Sequence, residues 1–134
     1  MMRLYFKVNK PIGFVFLYLT DMEKFASAHP VITKIDKKQD NNYVVHETLK
    51  IGFIPFSFTY PVKINENLTE NTIIMCATVM KLTTIKMTFV LTPDNVFTNI
   101  EEHIEFKTFL PITSIMKRIF TTIHIQLFKN IEKI

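Results

Sequence analysis

The order of its segments constrains this chain most. A short strand-like start, Arg3 to Val8, precedes two short helical stretches. β-patterned segments then run from Ile32 to Lys107, and one amphipathic helix closes the chain from about Pro111 to Ile134. Consecutive strands joined by short turns pair antiparallel, and a lone terminal helix must bury its apolar stripe against one face of their sheet. A curved sheet gripping one helix leaves room between the two. The order of elements therefore points to an apolar cavity with a small apolar occupant.

Local signals fix the boundaries. Pro11 opens the first helix where its missing N–H costs nothing, and Val15, Phe16, Leu19, Met22 and Phe25 recur at helical spacing. Thr20-Asp21-Met22-Glu23 reads as a capping box with Thr20 as the cap, so one helix ends near Leu19 and a second starts at once. Pro30 stops that second helix after His29. Turn signals at Asp40-Asn41-Asn42, Gly52 to Pro55, Asn65 to Asn71 and Pro93-Asp94-Asn95 divide the middle. The strands between them are Ile32–Lys38, Tyr43–Ile51, Phe56–Ile64, Thr72–Met80, Thr84–Thr92 and Val96–Lys107. Ile85, Met87, Phe89 and Leu91 alternate with Lys86, Thr88, Val90 and Thr92; the first set should face the closing helix, and Lys86 and Thr88 should face water. On that helix, Ile112, Met116, Ile119, Phe120, Ile123, Leu127 and Ile131 form a broad apolar stripe.

Composition excludes several classes of function. With 134 residues the chain is expected to form one domain, residues 1–134. The net charge of +4 rests on 14 scattered lysines and only two arginines, Arg3 and Arg118, whereas base and phosphate readers favour the arginine fork. No nucleic-acid partner is expected. Cys76, the sole cysteine, permits no intramolecular disulfide and sits in an apolar run as a small hydrophobe. Lys7 and Lys10 interrupt any signal-peptide core, and the apolar run Ile12 to Leu19 is too short to span a bilayer. The Asn67-Leu68-Thr69 sequon reads as chance without an export signal. The expectation is a cytoplasmic protein with no integral membrane segment. Two glycines, Gly13 and Gly52, cannot build a phosphate-cradling loop, so no cofactor is expected.

A few polar residues fall where the pattern predicts a covered face. Glu102 is in phase with Ile100 and Ile104, Glu47 with Val45, Leu49 and Ile51, and Tyr60 with Phe56, Phe58 and Val62. His124 borders the helix stripe between Phe120 and Phe128. A buried carboxylate or imidazole is costly unless paired, so their convergence would give an apolar pocket its polar handle. The plain alternative is structural pairing or exposure at strand ends. His29, His46, His103 and His124 lack metal-site spacing, and Cys76 has no histidine nearby in sequence, so neither a metal site nor a cysteine nucleophile is expected.

The segment from Pro11 through Val15-Phe16 and Asp21 to Phe25, followed by His29-Pro30-Val31-Ile32, resembles the opening of the START/Bet v 1-like helix-grip superfamily. Its small bacterial members are the SRPBCC or polyketide cyclase/dehydrase-like proteins. The strand train and the closing helix fit the same pattern over the whole chain. The resemblance implies an α+β fold: a curved antiparallel sheet of about seven strands wrapped around a long C-terminal helix, with two short helices after the first strand. It also implies binding or transport of a small hydrophobic molecule such as a lipid, quinone or polyketide. The expected cavity lining is Glu102, His124, Tyr60, Glu47, Phe58, Met87, Phe89, Ile104, Met116, Phe120 and Ile123. No catalytic motif of the cyclase branch matches residue by residue. Two alternatives stay open: a cyclase/dehydrase-type enzyme using His124 and Glu102 as acid and base, and an interaction module that fills its own cavity with phenylalanine.

Overall fold

The computed structural model describes residues 1–134, the side chain of Ile51 excepted. Strand β1 (Met2–Val8) leads into helices α1 (Ile12–Thr20) and α2 (Met22–Ala28). Six further strands follow, β2 (Ile32–Lys37), β3 (Asn42–Ile51), β4 (Ile54–Asn67), β5 (Thr72–Val79), β6 (Thr83–Asp94) and β7 (Phe97–Thr108), and then helix α3 (Thr113–Glu132). The seven strands form one sheet in the order β1-β7-β6-β5-β4-β3-β2, every pair antiparallel. Only β1 departs from sequence order, closing the sheet beside β7. Among the described residues, no helix is long and apolar enough to cross a membrane.

Three local expectations need correction. The cap of α2 is Asp21, whose carboxylate accepts from the Glu23 and Lys24 N–H groups at 3.1 and 3.2 Å. Thr20 still belongs to α1, and its hydroxyl donates to the Phe16 carbonyl four residues back. The β3–β4 connection is only two residues long, since Ile51 pairs with Ile54; Gly52 supplies the positive φ (67°) of that turn, and Pro55 lies in the strand. β6 likewise runs through Pro93, paired with Thr98, and the chain reverses at Asn95.

Alternation on β6 follows the expected phase. Ile85, Phe89 and Leu91 are buried, Lys86 is exposed, and Met87 and Thr88 are half-buried. Helix α3 divides into two halves. In the second half Leu127, Phe128 and Ile131 are buried with Val8, Leu19 and Ile100 in the core. That end is also tied down: the Asn9 N–H donates to the Glu132 carboxylate at 2.7 Å, and Asn130 Nδ2 donates to the Ala28 carbonyl at 2.8 Å. In the first half Met116, Ile119, Phe120 and Ile123 are only half-buried, and no side chain caps the helix N-terminus. One end of α3 is seated on the sheet, and the other stands over a space.

Candidate functional site

That space is a cavity of about 150 Å³. The sheet lines it with Glu47 and Leu49 of β3, Phe58, Tyr60, Val62 and Ile64 of β4, Met75, Ala77 and Val79 of β5, and Ile85 and Met87 of β6. Ile32 of β2, with Met22, Phe25 and His29 of the α2 region, closes one side; Met116, Ile119, Phe120, Ile123 and His124 of α3 form the roof. Lining residues toward the β3–β4 and β5–β6 turns, such as Leu49, Phe58, Val79 and Met116, are half-buried, whereas Met22, Ile64 and Met75 are buried. The cavity therefore opens at the turn end. Apolar side chains crowd that end too, with Phe53 and Phe109 almost wholly exposed.

Among the described residues, only four polar ones line the cavity: Glu47, Tyr60, His29 and His124. The Tyr60 hydroxyl donates to Glu47 Oε1 at 2.7 Å. Burial holds the Glu47 carboxyl above the ordinary carboxylate range, with the Tyr60 hydroxyl and His124 opposing it. Burial, and then the neighbouring Glu47 charge, push the Tyr60 hydroxyl above its usual value. Because the folded state holds the Glu47 proton more tightly than the unfolded chain, the stability tied to it is full below the unfolded pKa and is lost as pH rises through the folded one. Glu47→Gln keeps an acceptor for Tyr60 and removes this term. Its stability gain over the parent protein should grow as pH rises above about 4.5, measured by urea denaturation in a pH series; a gain independent of pH would contradict the assignment.

His124 Nδ1 lies 2.7 Å from each oxygen of Glu102, which is completely buried. The imidazole sits among Phe120, Phe89 and His29, with ring centroids 5.3, 6.2 and 6.2 Å away. His29 Nδ1 accepts from the backbone N–H groups of Val31 and Ile32, both at 3.3 Å. Part of the residue's surface stays accessible, yet burial of the ring, aided by His124, lowers its pKa to about 3. The hydrogen bonds argue the same way, since an Nδ1 that accepts two N–H groups cannot carry a proton.

Of the side chains expected around the cavity, Glu47, Phe58, Tyr60, Met87, Met116, Phe120, Ile123 and His124 line it. Glu102, Phe89 and Ile104 do not, and for these three the expectation is corrected. The lining comes from β2 to β6, whereas Glu102 and Ile104 belong to β7, beside β1 under the seated part of the fold. Glu102 is sealed behind the His124 ring, Ile104 is fully buried, and Phe89 is buried against His124 and Phe128. The side chain of Ile51 lies outside the described residues. His29 was missed as a cavity residue. Its signal is the spacing Met22, Phe25, His29, which continues the inner face of α2 past the helix end. Among the described residues, no group of three His, Cys, Asp or Glu is placed to hold a metal ion.

No curated protein sequence matches the chain. Solved structures share the fold at low identity. A conserved protein from Geobacillus kaustophilus superposes with a TM-score of 0.81 at 9% identity, covering 98% of this chain and 91% of that one. The Zhui aromatase/cyclase from Streptomyces sp. R1128 gives 0.73 at 12% identity, covering 98% and 90%. A START superfamily protein from Mycobacterium smegmatis gives 0.71 at 14%, covering 98% and 94%. The sheet order, the long closing helix and these neighbours show the SRPBCC-type helix-grip superfamily. Within it, the match over residues 5–131 shows that the chain belongs to the carbon monoxide dehydrogenase CoxG family.

Proposed function

We propose that residues 1–134 form one cytoplasmic ligand-binding unit, a carrier or sensor that holds a small hydrophobic molecule between the sheet and the first half of α3. The observation that carries this reading is the lining: an open-ended cavity of about 150 Å³ walled by Phe, Met, Ile, Leu and Val, with four polar residues among twenty. An apolar cavity of that size accommodates a benzene-sized molecule without rearrangement, and the half-buried roof residues leave α3 room to adjust to a larger one. The cyclase alternative loses support here. Acid–base catalysis needs both groups within reach of one substrate atom, and Glu102 lies behind the His124 ring. The filled-cavity alternative loses support for the simpler reason that space remains.

Native mass spectrometry and organic extraction of the purified protein test the reading. A co-purifying apolar molecule, or a rise in Tm on adding ethylbenzene to the emptied protein, is the expected result. Protein with nothing bound and a Tm unmoved by saturating ethylbenzene would contradict it.

A further inference from the structure

The polar groups of the cavity are not equivalent, and their hydrogen bonds decide what each can offer an occupant. The Tyr60 hydroxyl is committed to Glu47, and His124 Nδ1 is committed to Glu102. His29 differs. Its Nδ1 accepts from the Val31 and Ile32 N–H groups, so the single proton of the neutral ring sits on Nε2. Pro30 has no N–H, which leaves those two donors as the ones the chain reversal turns back onto the ring. Among the described residues, Nε2–H has no hydrogen-bond partner, and the ring lines the cavity. The His124 ring stands edge-on to it, with centroids 6.2 Å apart. A donor left unpaired in an apolar wall is costly, and an occupant that supplies an acceptor relieves that cost. Among the described residues no Lys or Arg lines the cavity, so a carboxylate or phosphate would enter without a fixed counter-charge.

We infer that His29 is a specificity-determining residue, an obligate donor that selects an uncharged, largely apolar occupant presenting a carbonyl or hydroxyl oxygen to its Nε2–H. This deepens the proposed function and rests on it. The locked tautomer does the selecting: the ring can give a hydrogen bond to the cavity and cannot take one.

Ring-matched probes test it. Acetophenone and ethylbenzene share size and shape and differ in one oxygen. The parent protein should bind acetophenone about 3- to 10-fold more tightly, the range of one neutral hydrogen bond. His29→Asn keeps a side-chain oxygen able to accept from the Val31 and Ile32 N–H groups and removes the Nε2 donor. It should bind ethylbenzene as before and lose the preference. A preference that survives in His29→Asn, or equal binding of both probes by the parent protein, would overturn the inference and leave the proposed function standing. Failure of both probes to bind the parent protein would overturn the two together. A readout that needs no variant is the long-range ¹H–¹⁵N spectrum of the histidine rings. It should show His29 neutral and protonated on Nε2, with that nitrogen shifting on addition of acetophenone and holding still with ethylbenzene. An Nδ1-protonated His29 would overturn the inference.

Discussion

His124→Leu is expected to destabilise the fold by about 3–5 kcal/mol, the usual cost of stranding a buried charge by removing its partner. Glu102 is completely buried, and among the described residues its hydrogen-bond partner is His124 Nδ1. Leucine fills most of the ring's volume but donates nothing, so the carboxylate must stay unpaired or take up a proton. The sequence alone led to the opposite expectation, a histidine used for recognition whose loss would weaken binding and spare stability. The pairing with Glu102 overturns that. A Glu102→Leu/His124→Leu double variant should recover most of the loss, because replacing a buried pair with apolar side chains is often neutral or better. Urea denaturation of the parent, both single variants and the double variant measures the coupling. Additive effects would mean the pair is not one unit.

The second large effect is a contrast between two phenylalanines. Phe89→Ala should cost about 3–5 kcal/mol, as for other fully enclosed aromatic side chains. Its ring is buried between the sheet and α3, against His124 and Phe128. Phe120→Ala should cost clearly less, because Phe120 is half-buried and already borders the cavity, where truncation enlarges an existing space. The binding of apolar probes should change for Phe120→Ala and stay near that of the parent for Phe89→Ala. Equal stability losses would mean that the roof of the cavity is as tightly packed as the core.

Much of this architecture is legible in the residues, for identifiable reasons. Alternation on β6 and the stripe on α3 place Phe89, Ile85 and Leu127 correctly, since a period of two or of 3.6 is enforced along the whole length of an element. Turns are legible where they use residues that tolerate positive φ, such as Asp40, Gly52, Asn71 and Asn95. The β5–β6 turn is not, because Met80 and Lys81 adopt positive φ of 55° and 60° with no glycine or asparagine to announce it. Phase also has a limit at the site itself. It puts Glu102 and Tyr60 on the same covered face, but the face runs across seven strands and the cavity covers only part of it. Which part depends on where α3 seats, and that is fixed by contacts remote in sequence, such as Asn130 to the Ala28 carbonyl. His29 stayed hidden because its importance lies in which ring nitrogen the backbone occupies, a property of the chain reversal at Pro30 rather than of residue type.

The methionines offer the most direct test of the central claim. Four of the seven, Met22, Met75, Met87 and Met116, line the cavity from α2, β5, β6 and α3, while Met1, Met2 and Met80 do not. In protein labelled with ¹³C at the methionine methyls, titration with ethylbenzene should shift the four lining signals together, saturably and with one Kd, and leave the other three in place. Shifts confined to Met1, Met2 or Met80, or no saturable shift at all, would contradict a ligand-binding cavity between the sheet and α3.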